Sequence, residues 1–511
     1  MKNVLELLER NAAQQPKHLL YCDAGKQLNA EMFLYRVKTV ASGLLHGARI
    51  TGKSGVILMS RGVDALSAAF AINAAGGFYT FLDEEMPSAR MRAIIRSLHP
   101  AFVITDEDHK RAAEILMWHR VFVLSDLMKI AIDEPMLAKV RADSCSTDTA
   151  YVLFTSGSSG TPKGVVVSHG SILAYAEWFT HAFQIRSDDV FAGLSPLFFS
   201  MSVTDVYGSL AAGATLYLLS HSEFMFPVQL VETLNQIRAT TIYWVPSALG
   251  VIANWKILDH IQPHFLRRIL FAGERMPVKT LNSLQEALPD IQYANLFGPT
   301  ETTDICMFYI VDRKYREDES LPIGKPCDNC RCFVLDEQGR QVEGAETGEL
   351  CIGGPFLAGG YWQDPIRTSM MFCQNPENHD FPDILYHTGD LVRRDGNNLY
   401  WYLGRKDNQI KRHGYRIEPG EIETVAETIA GVHRSIAVFK ENTDEIVLAY
   451  DGRKMPSLLL KEQMLQHLPA YMVPNRFEYH QQLPINANGK IDRRSLQKHP
   501  EARKEREENH A

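Results

Sequence analysis

Nowhere do the 511 residues run through eighteen consecutive apolar positions. The most apolar stretch, Ala65 to Leu82, is broken by Asn73 and by Gly76-Gly77. It predicts a buried helix followed by a strand, not a membrane span. Positive charge is not in excess either. Lys and Arg number 53 against 61 Asp and Glu, a net charge of −8. That balance argues against a polyanion-binding surface, and so against nucleic acid as a partner. An export signal is also missing. The start, "MKNVLELLERNAAQQPK", carries charges through its apolar positions and reads as an amphipathic helix. Cysteine is scarce, with eight in the chain. Without an export signal these are expected as reduced thiols in a cytoplasmic protein. Their one cluster is "CDNCRC" (Cys327, Cys330, Cys332), with Cys306 and Cys351 nearby in sequence and no His close. A zinc site needs about four ligands at suitable spacing. The cluster is therefore expected as cysteines before and within a strand.

What is present points to two or more domains, because 511 residues exceed one ordinary core. Over the first 400 residues, strand-like runs alternate with helical periods. "SGVILMS", "AFVITD", "RVFVLS", "ATLYLLS", "TTIYWVP" and "RRILFAG" are strand-like; "SARMRAIIRSL" and "PVQLVETLNQIRA" are helical. Such alternation implies parallel sheets flanked by helices, an α/β class. From about Leu321 short strands and Gly-rich turns take over, as in "GELCIGG" and "LVRRDGNNLYWYLG". The expected organisation is a core over 1–404 with a β-rich subdomain over about 321–404. A small mobile α+β domain over 405–500 and a polar tail over 501–511 follow.

"YVLFTSGSSGTPKGV" (Tyr151 to Val165) places hydroxyls, bare backbone and one lysine directly after a buried strand. Backbone N–H groups in such a loop form an anion-binding nest, and a lysine adds charge. The spacing is not that of an ordinary P-loop, and taken alone the run also fits a flexible loop.

"NLFGPTETT", "YHTGDLVRRD", "GRKDNQIKRHGYRIEPGEIE" and "NANGKIDRR" follow in order. With the Gly/Ser loop, this set resembles the ordered motifs of the adenylate-forming superfamily. "GGFYTFLDEEMPSARMRAII" (Gly76 to Ile95) resembles the version found in nonribosomal peptide adenylation domains. A D-alanine:carrier protein ligase is similar in size and layout. The resemblance spans about residues 10 to 497. It implies two steps. A carboxylate attacks the α-phosphate of ATP to give an acyl-adenylate and pyrophosphate; a thiol then takes the acyl group and releases AMP. Thr155, Ser156, Gly157, Ser158, Ser159, Gly160, Thr161 and Lys163 would cradle the β- and γ-phosphates. Glu301 would hold Mg²⁺, a hard cation suited to carboxylate and phosphate oxygen. Thr300 would touch the α-phosphate, and Asp390 with Arg405 the ribose. Asn295, Phe297 and Gly298 would border the adenine, Phe297 standing where the family usually has Tyr. Lys490 in "NGK" would bridge the substrate carboxylate and the ribose-phosphate oxygens. Asp407 matches the hinge about which the small domain exchanges the Lys490 face for the "KRHGYR" face. Gly414 would let a phosphopantetheine arm pass close to the backbone.

In α-amino-acid adenylation domains, the motif matching "SPLFFSMSVTDVYGSL" carries an Asp that pairs with the substrate ammonium. Here the position is Ser200, after Phe198 and Phe199. A hydroxyl does not offset a desolvated ammonium, and leaving that charge unpaired costs roughly 3–5 kcal/mol. The matched pocket residues are Phe199, Ser200, Met201, Thr204, Tyr243, Leu270, Ala272, Leu296, Asp304 and Ile305. Asp304 stands where the family usually has a neutral residue. A carboxylate among apolar neighbours is costly unless paired, so Asp304 is expected to receive a displaced amine. A β- or ω-amino acid, or a small amino acid in a shifted pose, would fit. Asp304 capping local backbone, and a neutral aryl or short acyl acid as substrate, remain the alternatives.

Only about 14 residues follow "DRRSLQ", so the chain is expected to be free-standing and to load a separate carrier protein. An acyl- or aryl-CoA synthetase would differ only in the thiol. A luciferase-type oxygenase and a non-catalytic binding homologue are the other classes; the latter would be expected to lose Lys490, Glu301 or Lys163.

Overall fold

The computed structural model describes residues 1–117, 120–157, 161–254, 257–342, 344–484 and 493–498. Backbone contacts divide the chain into two compact units. The first holds residues 1–84, 94–155 and 163–407. The second holds residues 85–93, 156–162 and the chain from Asn408 onward.

Three sheets build the first unit. One of seven strands runs in the order Gly360–Tyr361, Lys163–Ser168, Thr149–Thr155, Phe78–Leu82, Ser54–Leu58, Phe102–Thr105, Val121–Val123. From Thr149–Thr155 to Val121–Val123 the strands are parallel. Ser54–Leu58 and Phe78–Leu82 are buried at every position, as expected of parallel strands covered on both faces. Helix Val63–Ala74 between them is also buried. The Ala65–Leu82 stretch is thus a core helix and a core strand.

A nine-stranded sheet has the order Lys325–Pro326, Met307–Ile310, Gln292–Phe297, Arg268–Phe271, Thr241–Trp244, Val190–Gly193, Thr215–Leu218, Leu19–Asp23, Gln27–Asn29. It is parallel in the middle and antiparallel at both ends. Strands between Arg331 and Arg405 form a five-stranded antiparallel sheet. Short antiparallel strands follow from the Gly-rich turns of that region, which leave no length for crossover helices. The mixed α/β class expected from sequence is what the chain adopts.

In the second unit, strands Ile410–Arg412 and Tyr415–Ile417 form a hairpin. Its turn residues His413 and Gly414 both have positive φ, 49° and 76°, which a tight hairpin turn of matching twist requires. Helices Pro419–Glu427 and Ser457–Leu465 accompany a sheet of Val432–Lys440, Glu445–Gly452 and Arg476–Tyr479. Ile417, Ile422, Ala426, Leu448, Leu460 and Met464 share one buried core. Among the described residues, no helix is long and apolar enough to cross a membrane.

Candidate active site

Strands Thr149–Thr155 and Lys163–Ser168 are antiparallel neighbours, and their register sets Thr155 opposite Lys163. The Gly/Ser run is the connection of this hairpin, so its lysine opens the returning strand where the loop ends. Lys163 Nζ lies 3.3 Å from Glu301 Oε1. The Tyr361 hydroxyl donates to the same oxygen at 2.7 Å. The ammonium also sits over the Tyr361 ring, 5.1 Å from its centroid, within cation–π range. Glu301 has no exposed surface. A carboxylate so buried persists because a cation and a strong donor meet it.

Glu301 sits in the connection between the antiparallel strands Gln292–Phe297 and Met307–Ile310. That connection is tightly folded. A β-carbon on Gly298 would lie 2.2 Å from the Asp304 carbonyl oxygen, so only glycine fits there. Thr300–Thr302 make a single 3₁₀ turn. Thr303 then takes φ of 67°, a left-handed conformation costly for a β-branched residue. Its hydroxyl donates to Phe356 O at 2.7 Å.

The turn directs Asp304 into a different environment. Its side chain is 2% exposed, and Oδ2 accepts from Thr204 Oγ1 at 2.5 Å, Tyr175 OH at 3.2 Å and Tyr243 OH at 3.3 Å. No Lys, Arg or His among the described residues pairs with it. Burial pushes the Asp304 carboxyl up to about 7, against the pull of the Thr204, Tyr175, Tyr243 and Ser200 hydroxyls. Ser200 also accepts from Thr300 Oγ1 at 3.4 Å. Leu270, Ala272, Leu296 and Ile305 are buried, Met201 is half-buried, and Phe199 lies against Phe198 with ring centroids 4.7 Å apart.

A third cluster lies on the five-stranded sheet. Asp390 is opposite Arg405 in register, and Arg405 Nη1 donates to Asp390 Oδ1 at 2.9 Å. The remaining guanidinium donors grip Asp407 bidentately at 2.7 Å. Asn295 donates to Pro322 O at 2.8 Å, and Phe297 packs on Tyr402 at 5.9 Å. In the second unit, Ser156 Oγ donates to Arg416 O at 2.6 Å, and the Gly157 N–H bonds to Glu421. Thr161 is exposed. Glu421 also pairs with Arg90, both buried. Ser158, Ser159, Gly160 and Lys490 lie outside the described residues.

Buried anion-cation pairs of this kind suit the handling of a charged nucleotide. A family model described as "AMP-binding enzyme" matches residues 8–362. The chain belongs to the AMP-binding enzyme family. It is similar to tyrocidine synthase 3 of Brevibacillus parabrevis, 33% identical over 514 residues. That match covers 96% of this chain and spans only 8% of the relative's length. Two solved structures share the fold. An o-succinylbenzoate CoA synthetase from Bacillus subtilis aligns with a TM-score of 0.83 and 21% identity, over 97% of this chain and 98% of that one. An NRPS protein containing adenylation and PCP domains aligns with 0.83 and 22%, over 97% and 84%.

Three residues of this site escaped sequence reasoning. Tyr361, in "GGYW", reads as a turn aromatic, and Tyr175, on helix His169–Ala182, reads as core. Only their partners, Glu301 and Asp304, reveal them. Asp205 follows Thr204 in a π-helical turn. Both its carboxyl oxygens are buried without a hydrogen-bond partner among the described residues. Burial pushes its carboxyl well above the usual carboxylate value, against the pull of Arg61. Arg61 lies nearby but donates to the carbonyls of Gly193, Ser195 and Leu219.

Proposed function

We propose that the chain adenylates a small amino acid whose amine lies away from the usual α-position. It then passes the acyl group as a thioester to the phosphopantetheine of a carrier protein in the cytoplasm. One observation carries the substrate reading. Asp304 is a buried carboxylate held by three hydroxyls, with no described cation beside it, while Ser200 stands where an ammonium-binding Asp is usual. A hydroxyl cage orients a carboxylate without neutralising it, which leaves it fit to pair with an entering ammonium.

Glu301 suits Mg²⁺ as a hard oxygen donor, and with Lys163 it would meet the metal and phosphates of ATP. Bound Mg²⁺ would neutralise charge on the pyrophosphate as it leaves. Thr300 would touch the α-phosphate and Lys490 the reacting carboxylate. Asp390 and Arg405 would hold the ribose. The division of the chain between Asp407 and Asn408 supports Asp407 as the hinge.

A second reading draws on the Asp304 carboxyl being pushed up to about 7. A carboxyl half-protonated near neutrality donates to a neutral group, so an aryl or short acyl acid would also be served, with carrier protein or CoA as acceptor. ATP–pyrophosphate exchange over α-, β- and ω-amino acids, aryl acids and short fatty acids separates the two. An amino acid as best substrate, weakened by Asp304→Asn, is the expected result. A best substrate without an amine, untouched by that substitution, overturns it.

A further inference from the structure

The Lys163–Glu301 pair poses a problem for any nucleotide that enters. Lys163 has to turn to phosphate and Glu301 to metal, so a buried ion pair must come apart. Separating buried charges is costly unless something takes over from the lost partner. Among the described contacts, the Tyr361 side chain touches both ions. The Tyr361 hydroxyl donates to Glu301 Oε1 at 2.7 Å, and its ring lies under the Lys163 ammonium at 5.1 Å. The phenol offers a donor to the anion and a negative face to the cation, which are opposite complementarities on one rigid group.

Backbone bonds hold Tyr361 independently of the pair. Gly360–Tyr361 pairs with Val166 and Val165, three and two residues beyond Lys163. The Tyr361 N–H donates to Thr368 Oγ1 at 2.9 Å, and the Trp362 N–H to Gly164 O at 2.7 Å. At the other end of the same segment, the Ala358 N–H donates to the Glu301 carbonyl at 2.8 Å. The segment 358–362 is thus fastened to the lysine's strand and to the acid's backbone. Its phenol stays in place whichever way the two charges move.

We propose that Tyr361 is a positioning residue for ATP binding, whose hydroxyl and ring face keep Glu301 and Lys163 each accompanied when the triphosphate and its metal draw them apart. This rests on the reading of Glu301 and Lys163 as the holders of metal and phosphates, and deepens it.

The test is calorimetric titration of the full chain with Mg²⁺ and an ATP analogue that resists cleavage at the α-phosphate, beside steady-state exchange kinetics. Tyr361→Phe removes the hydroxyl and keeps the ring, which also packs on Phe372 at 5.8 Å. It should weaken the analogue by about tenfold to a hundredfold, the scale of a hydrogen bond to a charged group. The KM for ATP should rise in step, with kcat little changed. Tyr361→Leu removes the ring face as well and should weaken binding further. Wild-type affinity in Tyr361→Phe overturns the inference. So does equal loss in both variants, because the ring face would then contribute nothing. A Tyr361→Phe chain that fails to fold also counts against it, since the hydroxyl would then serve stability. Glu301→Gln in the same titration separates the two levels. Unchanged affinity there overturns the reading of Glu301 itself. A large loss there, with Tyr361→Phe at wild-type affinity, overturns only the role of Tyr361.

Discussion

Glu301 and Asp304 are three residues apart on one connection, yet the chain treats them in opposite ways. Glu301 has a cation and a phenol on one oxygen. Asp304 has, among the described residues, hydroxyls alone. A cation makes a buried carboxylate permanent, whereas hydroxyls only lessen the penalty of burial and leave the group near its point of titration. The first arrangement suits a charge needed in every turnover. The second suits a charge completed by a particular ligand.

The largest effect should come from breaking the permanent partner. Glu301→Gln leaves Lys163 without its carboxylate in a buried place, at a cost of about 3–5 kcal/mol. Both the melting temperature and the exchange rate should fall, the rate by about two to three decades. A variant with wild-type stability would show that the ion pair contributes nothing.

Asp304→Asn comes next and should part from Glu301→Gln in sign. Binding of the preferred amino acid should weaken by about 2–4 kcal/mol, the scale of a broken, partly buried charge pair. Stability should move the other way as pH rises. Folded Asp304 binds its proton up to about pH 7, while in the unfolded chain it lets go near 4. Between those values, wild-type stability is lost as pH rises, by at most about 1.4 kcal/mol per unit. The amide carries no such loss, so Asp304→Asn should gain on the wild type from pH 4 to 7. Urea titrations at several pH values would reveal it; a constant gap would mean that Asp304 does not titrate there.

Under the proposed function, the same titration should show in catalysis. If the ionised form holds an ammonium, kcat/KM for the amino acid should fall about tenfold per unit below pH 7. An uncharged acid should show the opposite trend or none. Asp407→Pro should change least in the first half-reaction, leaving pyrophosphate exchange near normal while thioester formation drops, because proline fixes φ at the hinge. Ordinary loading of a carrier would remove Asp407 from that role.

Much of this was legible in sequence because it is written locally. The strands and helices declare themselves by apolar period, as "TTIYWVP" does for Thr241–Trp244. The Gly/Ser loop, Glu301 and Asp390 lie in runs of unusual composition. The anomaly of Asp304 opposite Ser200 was also visible, as a charge in an apolar pocket. What stayed hidden was the company each charge keeps. Tyr361 and Tyr175 belong to segments whose own sequence is ordinary, and they acquire roles through partners 60 and 129 residues away. Asp205 was hidden for another reason. Its burial depends on packing behind the pocket, where Gly193 leaves room for its carboxyl, and no local pattern announces that.

The close approach at Gly298 and the left-handed Thr303 bear on how such an enzyme could be retargeted. The backbone that aims Asp304 also aims Glu301, and both turns depend on contacts only a few ångströms wide. Mutagenesis libraries that randomise residues 298–305 would therefore scramble the contacts of Glu301 along with those of Asp304, and under the proposed roles most members would be inactive for reasons unrelated to the acid. Diversity belongs on Leu270 and Leu296. Their strands hold backbone position through sheet pairing, so new side chains there would change the apolar packing and leave the two carboxylates aimed as before.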